Sequence, residues 1–198
     1  MTDGFLSDLC QLENRKIILA SESPRRKTML ETVGLNFQVV PARVEEIYQD
    51  SDPVDYAIMN AWKKAELVSG KVPYDLIIAA DTVVALDGKI YEKPIDRNDA
   101  RRMLKELSGK THRVITGFGL LTHSQELRDY DETRVSFYEL SDAEIGAYLD
   151  SGEPFDKAGA YGIQGYASLF VQKVEGCYFN VVGFPLAKFY QRLKQIKF

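Results

Sequence analysis

An unbroken apolar run in the middle of the chain is the feature that most limits the folds open to it. Leu76-Ile77-Ile78-Ala79-Ala80 has no polar interruption, which is typical of a strand that is covered on both faces of its sheet. Such strands occur mainly in α/β proteins, where helices pack on both faces. We therefore expect a central strand at 76–80, with Asp81 as the first polar residue after it.

The spacing of apolar residues and of turn residues predicts the remaining elements. Strands and helices alternate early in the chain, while hairpins dominate its middle, as at the turn signal Asp87-Gly88. We expect an α/β fold: a mixed β-sheet with flanking helices, as a single domain over 1–198 with two lobes around a central cleft. Helices are predicted at 23–33, 54–69, 97–108, 141–149 and 185–196, and further strands at 16–20, 36–41, 82–86, 89–91, 111–122, 130–138, 168–174 and 178–182.

Composition excludes several classes of protein. The 198 residues carry a net charge of -4, so a surface that binds nucleic acid is not expected. No stretch approaches the roughly 20 apolar residues of a membrane span. Two cysteines are too few for a disulfide framework, and the acidic N-terminal segment does not resemble a signal peptide. We expect a cytoplasmic protein with no membrane partner.

The start of the first predicted helix has the character of an anion site. Ser23 followed by Pro24 predicts an N-cap and a first helical residue. Arg25 and Arg26 then fall at the positive end of the helix dipole, which costs about 0.3–1 kcal/mol per exposed charge. A bound phosphate would reverse that cost, because N–H groups and guanidiniums would converge on it. The alternative is a capped surface helix with solvated arginines.

Asp81 is the strongest candidate for chemistry. Acidic residues at the carboxyl end of a central strand commonly face the ligand crevice of an α/β sheet. Such a carboxylate can bind a divalent cation or take a proton from water. Burial would raise its pKa and a metal or Lys93 would lower it, and the sequence leaves both effects open. The structural alternative is an aspartate that caps the turn into the hairpin, and we favour the functional role.

Other charged residues give weaker signals. Glu45 and Glu46 follow a predicted strand and would supply a second metal oxygen, unless they form a solvated acidic turn. Lys63 and Lys64 are neighbours on the helix predicted at 54–69, so one of them is expected to face inward and the other water. Lys93 precedes a proline and is therefore held extended, which suits a side chain aimed across a cleft.

The segment 153–165 carries glycines at three-residue intervals among aromatic and apolar residues. Such a loop permits close approach of the backbone to a ligand. Gln164 could read a base edge with its amide, with Tyr161 packed on it, whereas the alternative is a mobile surface loop. The segment is neither a phosphate-binding Walker A loop nor a dinucleotide fingerprint. His112 and His123 lack metal-ligand spacing, and structural roles are expected for both.

Taken together, these segments resemble the Maf family of nucleotide pyrophosphatases. The matching blocks follow one another in order from about residue 16 to 190. They are Ser21-Glu22-Ser23-Pro24-Arg25-Arg26, Lys64-Ala65, Ala80-Asp81-Thr82, Glu92-Lys93-Pro94, Ser108-Gly109-Lys110-Thr111-His112, Asp156-Lys157-Ala158-Gly159-Ala160-Tyr161-Gly162-Ile163-Gln164-Gly165 and Asn180-Val181-Val182-Gly183.

The resemblance implies hydrolysis of a nucleoside triphosphate to the monophosphate and pyrophosphate, with Mg²⁺ or Mn²⁺ as cofactor. It implies that Asp81 is the proton acceptor, that Glu46 and Asp81 hold the metal, and that the protein is a homodimer. Thr82 after Ala-Asp resembles the subgroup that acts on dTTP and UTP. The implied phosphate-binding residues are Ser21, Arg25, Arg26, Lys64 and Lys93, and the positions implied in substrate choice are Arg25, Thr82 and Gln164.

Three other functions compete with this interpretation. A non-catalytic nucleotide-binding regulator of cell division would use the same cradle but would not need Asp81. A nucleic-acid-binding protein conflicts with the net charge of -4. A phosphomonoesterase would release orthophosphate in place of pyrophosphate.

Overall fold

The computed structural model describes residues 4–42, 44 and 52–198 of the chain. Glu45 and Glu46 lie outside the described residues. The helices are α1 (Phe5–Leu9), α2 (Pro24–Thr32), α3 (Pro53–Ser69), α4 (Arg97–Leu107), α5 (Asp142–Asp150), α6 (Tyr178–Val182) and α7 (Leu186–Leu193). The strands are β1 (Ile17–Leu19), β2 (Gln38–Val39), β3 (Leu76–Leu86), β4 (Lys89–Tyr91), β5 (Thr111–Leu121), β6 (Glu126–Phe137) and β7 (Val171–Glu175).

Seven strands of the described chain form one mixed sheet. Its order is β2-β1-β3-β5-β6-β7, with β4 paired to β3. β1 runs parallel to β2 and to β3, whereas β4 is antiparallel to β3 and β7 is antiparallel to β6. The prediction of an α/β fold with a mixed sheet and flanking helices is therefore confirmed.

The chain divides into two compact units. The first comprises the described residues up to Asp81, together with Thr116–Asp131 and Gly183–Phe198, and the second comprises Thr82–Ile115 and Glu132–Val182. The single domain over 1–198 stays a prediction.

The first unit is built around the parallel pair of β1 and β3. Every residue from Leu76 to Ala80 is completely buried, as the apolar run predicts. α3 packs closely on β5: a Cβ added to Gly117 would lie 2.5 Å from the carbonyl carbon of Ala57. This approach of backbone to backbone fixes where the inward face of α3 lies.

The second unit has an apolar cluster formed mainly by α4, α5 and the strand segments beside them. Ser141 caps α5 in a capping box with Glu144. Gly109, at φ +66°, follows the end of α4. Aromatic rings meet edge to face in this core, among them His112 with Phe137.

Several sequence expectations need correction. Residues 178–182 form helix α6, where a strand was expected. The first three residues of the strand expected at 168–174 belong to a 3-10 turn over Tyr166–Phe170, and the remaining four are in β7, which begins at Val171. The strand that holds Asp81 continues to Leu86. Asp81 therefore lies inside a strand, and the argument from a strand end was wrong.

Candidate active site

A buried ion pair between α3 and β3 is the centre of the candidate site. Lys64 Nζ lies 2.6 Å from Asp81 Oδ1 and donates a hydrogen bond to it. Asp81 is only 7% exposed. A buried charge is costly unless it is paired, and the ion pair with Lys64 offsets that cost for Asp81 inside the first unit.

The sequence of α3 explains why Lys64 and Asn60 face the same way. Residues four apart on a helix lie above one another on one face, and the Asn60 side chain also reaches Asp81, with Nδ2 3.5 Å from Oδ2. Lys63, next in the chain, is half-buried while Lys64 is buried. The expectation that one of the two lysines faces inward is confirmed, and the inward one is Lys64.

The start of α2 forms the second part of the site. Ser23 is the N-cap, and its Oγ accepts a hydrogen bond from the Arg26 backbone N–H at 3.4 Å. The buried Arg26 guanidinium donates to Gly183 O at 2.8 Å and to Ser21 Oγ at 3.2 Å. Arg26 therefore holds the turn together from inside, while Arg25 is half-exposed.

Strand register brings these two parts to the same region of the first unit. β1 pairs with β3 in parallel, with Leu19 opposite Ile78, and Ala20 N donates to Ile78 O at 2.8 Å. Continuing this register sets Ser21 beside the Ala80–Asp81 segment of the neighbouring strand. The basic first turn of α2 thus follows β1, the neighbour of the strand that holds the buried carboxylate.

The residues present suit a hard divalent cation. Mg²⁺ is typically held by one or two carboxylates together with waters and substrate phosphates, and Asp81 supplies one carboxylate. Within the residues that the structure describes, no group of three His, Cys, Asp or Glu side chains is placed to hold a metal. Glu46, predicted as the second acid, lies outside them, as does its alternative Glu45.

The other predicted site residues belong to the second unit. Thr82 is half-buried on β3, directly after Asp81, and Lys93 is exposed just before the buried Pro94. Gln164 is exposed in the glycine-containing segment. Asp81 is paired with Lys64, whereas the sequence had offered Lys93 or a metal as the positive charge near it.

The loop that carries Gln164 is well packed, which answers the alternative of a mobile surface loop. It contains two short 3-10 turns, Glu153–Asp156 and Ala158–Ala160. A Cβ at Gly165 would lie 2.2 Å from Glu153 Oε2, which accepts a hydrogen bond from Tyr166 N at 2.9 Å. The glycine therefore makes room for the carboxylate that fastens the loop next to Gln164.

His112 has the structural role expected for it. Its Nε2 lies 2.7 Å from the Tyr161 hydroxyl inside the core of the second unit. Burial lowers the pKa of His112 to about 4 and raises that of Tyr161. Both groups are therefore neutral at physiological pH, so they order the aromatic core without adding a charge.

Asn60 is a polar residue of the site that the sequence analysis did not single out. Its side chain is completely buried, although it lies in the middle of the amphipathic helix α3. The available signal was its spacing of four residues from Lys64, on a face that is otherwise apolar. Its Oδ1 atom has no hydrogen-bond partner among the described residues.

Three curated relatives of this chain carry the same name. A dTTP/UTP pyrophosphatase of Carboxydothermus hydrogenoformans is 50% identical over 182 residues, which cover 91% of this chain and 98% of that protein. One from Koribacter versatilis is 47% identical over 180 residues, covering 90% and 93% of the two chains. Another, from Bacillus cereus, is 45% identical over 182 residues, with coverage of 91% and 95%.

A solved structure and a family model complete the comparison. The Ham1 protein of Staphylococcus aureus aligns with a TM-score of 0.55 at 12% identity, covering 92% of this chain and 100% of that one. That likeness concerns the fold alone. The family model described as Maf-like protein matches residues 16–196. The chain belongs to the Maf-like protein family, as the motifs of its sequence had indicated.

Proposed function

We propose that this protein hydrolyses nucleoside triphosphates, dTTP and UTP in particular, to the monophosphate and pyrophosphate. The observation that carries the proposal is the buried Lys64–Asp81 pair, at 2.6 Å, beside the arginine-bearing start of α2. The names of the relatives, at 44–50% identity over nine-tenths of the chain, support the choice of substrates.

In the proposed mechanism, water attacks the α-phosphorus and Asp81 takes its proton. Lys64 donates to Oδ1 of the carboxylate, so Oδ2, which receives a long hydrogen bond from Asn60, is the oxygen that accepts the proton. A general base of this kind contributes about 10²–10⁴-fold to a rate. The ammonium of Lys64 offsets the charge of the buried carboxylate and remains within reach of the developing negative charge.

The phosphate chain is assigned to the cations around Ser21. The N–H groups at the start of α2, the Ser21 hydroxyl and the Arg25 guanidinium bind phosphate oxygens, and Arg26 holds the turn in shape. Lys93 is assigned to the same phosphates. A bound Mg²⁺ or Mn²⁺, held by Asp81 and the predicted Glu46, would neutralise charge on the triphosphate.

Selection of the base is assigned to Arg25, Thr82 and Gln164. An amide such as that of Gln164 pairs a donor with an acceptor, which suits the edge of a thymine or uracil ring. We further propose a cytoplasmic homodimer that acts on free nucleotides. The net charge of -4 supports the exclusion of nucleic acid as a partner. In the described part of the chain, no helix has the length and apolar character needed to cross a membrane.

The proposal is tested by product analysis with dTTP and UTP, in Mg²⁺ and in Mn²⁺. We expect pyrophosphate and the monophosphate in equal amounts from the unmodified protein. Asp81→Asn keeps the size of the side chain but cannot accept the proton, and should lower turnover by at least about 10³-fold. Release of orthophosphate, or nucleotide binding without turnover, would instead favour the phosphomonoesterase or the regulator.

A further inference from the structure

The proposed function gives no reason for a buried asparagine at position 60. The exposed fraction of Asn60 is 0%, and its Oδ1 has no hydrogen-bond partner among the described residues. Leaving a buried carbonyl oxygen unsatisfied is destabilising, because the hydrogen bonds it made to water in the unfolded chain are not replaced. A leucine at this position would avoid that cost and suit the apolar face of the helix.

The orientation of the Asn60 amide follows from its neighbour. Nδ2 donates toward Asp81 Oδ2 at 3.5 Å, which is the favourable arrangement, because the reverse would set a carbonyl oxygen against a carboxylate. Oδ1 belongs to the same planar amide as Nδ2, one carbon atom away from it. Two acceptors, Asp81 Oδ2 and Asn60 Oδ1, are therefore separated by one amide group in a buried part of the first unit.

We propose that Asn60 Oδ1 binds the water molecule that Asp81 activates. Water has two hydrogens, and it would donate one to Asp81 Oδ2 and the other to Asn60 Oδ1. Buried waters typically make about three hydrogen bonds to polar groups that are otherwise unsatisfied, which accounts for the orphaned oxygen.

With both hydrogens held, a lone pair of the water oxygen is left for the phosphorus. In the step itself, the oxygen forms a bond to the α-phosphorus, the bond to the bridging oxygen of pyrophosphate breaks, and the first proton passes to Asp81. The second hydrogen stays covalently bound to the attacking oxygen, with Asn60 Oδ1 as its hydrogen-bond acceptor, and so remains on the product phosphate. The inference rests on the proposed function, since it assigns a role within the same reaction.

The inference predicts a result that would not be expected if Asn60 had only a structural role. Methanol has only one O–H group, so a site built to hold two hydrogens should discriminate against methanol as the nucleophile. Attack by methanol would release pyrophosphate and give the methyl ester of the nucleoside monophosphate. The ester fraction, measured with dTTP in aqueous methanol, reports whether the site is specific for water.

We would compare the unmodified protein with Asn60→Leu, which matches the size of asparagine but lacks both polar groups. We expect kcat for hydrolysis to fall by about 10–100-fold with KM changed less than about threefold, and the ester fraction to rise at least about threefold. Asn60→Ala gives the same comparison if the leucine variant fails to fold, as checked by thermal unfolding. Lys63→Leu, on the same helix, is the matched control and should change neither quantity.

The outcomes separate the two proposals. An ester fraction in Asn60→Leu no higher than in the unmodified protein would overturn the role of Asn60, as would an unchanged kcat. If the unmodified protein releases no pyrophosphate from dTTP, the proposed function itself fails. If the unmodified protein does release pyrophosphate while the substitution leaves the ester fraction unaffected, that result would support the proposed function and contradict the role of Asn60.

Discussion

The two compact units bury polar side chains of different kinds. In the described chain, the buried residues that carry a formal charge are Arg26, Lys64 and Asp81, and all three belong to the first unit. The second unit buries the neutral polar side chains His112, Thr133 and Asn180. Charged burial costs far more than neutral burial, so we infer that the first unit retains its charges for function.

The buried neutral groups of the second unit have structural partners. Asn180 Nδ2 donates to Val114 O at 2.9 Å and to Thr133 Oγ1 at 3.0 Å, and His112 bonds Tyr161. Such bonds specify how a core packs without giving it reactivity. From this comparison we expect substitutions of buried polar residues in the first unit to lower catalysis. Substitutions of those in the second unit should lower stability alone.

The largest expected effect comes from separating the buried ion pair. Lys64→Ala leaves the Asp81 carboxylate buried without its ammonium, which should cost about 3 kcal/mol in the free energy of unfolding. The rate with dTTP should fall at least about 100-fold. Urea unfolding and kcat/KM measure the two effects.

Lys63→Ala is the matched control, since it removes the same charge one residue earlier from a half-buried position. Its unfolding free energy should stay within about 0.5 kcal/mol of the unmodified protein. Equal effects of the two substitutions would show that the loss reflects general charge and not the pair with Asp81.

The second effect concerns the pH dependence of stability. Burial lowers the pKa of His112 from 6.5 to about 4, so the unfolded chain binds a proton in this range that the folded chain does not. Stability therefore falls as the pH drops from 6.5 towards 4, by roughly 3 kcal/mol in total from this residue. His112→Gln should flatten the curve of unfolding free energy against pH within that window.

The control for this prediction is His123→Gln. His123 is exposed and stacks on Tyr74, with the ring centroids 4.5 Å apart. Its replacement should leave the acid-side slope unchanged. Carboxylates with lowered pKa values, such as Glu106 at about 2, add their loss at lower pH in every variant. A slope in His112→Gln equal to that of the unmodified protein would contradict the assignment.

Local signals in the sequence predicted much of this fold. Ser23 caps α2 as expected, Gly34 follows its end at φ +72°, and α3 ends at Gly70. These features depend on a few neighbouring residues, whose backbone preferences are strong. The mixed sheet was predictable for the same reason, because the hairpin at Asp87-Gly88 and the early alternation of strands and helices are both local.

Features decided by tertiary contacts were not predictable. Asp81 was taken as the end of a strand, because it is the first polar residue after the apolar run 76–80. Lys64, 17 residues earlier in the sequence, supplies the partner that keeps it buried. The run at 178–182 has aromatic and β-branched residues typical of a strand, yet it folds as α6, since periodicity cannot distinguish strand from helix over five residues.

A third effect tests the close contact that holds α3. Gly117→Ala would set a Cβ 2.5 Å from the backbone of both Ala57 and Ile58, so the helix or the strand must shift. We expect a loss of about 2 kcal/mol in unfolding free energy. Because α3 carries Asn60 and Lys64, kcat should also fall.

Gly70→Ala provides the control for Gly117. A Cβ at Gly70 meets no atom within 4 Å, and its φ is -80°. The free energy of unfolding should stay the same or rise by about 0.5 kcal/mol, with unchanged kinetics. If Gly117→Ala changes stability and kinetics as little as Gly70→Ala does, α3 can shift to accept the added Cβ, and the close contact does not fix its position.

The smallest effect compares one substitution at the two helix caps. Ser141→Ala in the second unit and Ser23→Ala in the first each remove a side-chain acceptor from a helix start, at a cost of about 1 kcal/mol in stability. Only Ser23 also shapes the turn that carries Arg25 and Arg26, so only its replacement should raise KM for dTTP, by about fivefold. Equal KM values in the two variants, with equal stability losses, would show that the turn at α2 does not position the triphosphate. The contrast between a chemical and a structural unit would then rest on Lys64 and Asp81 alone.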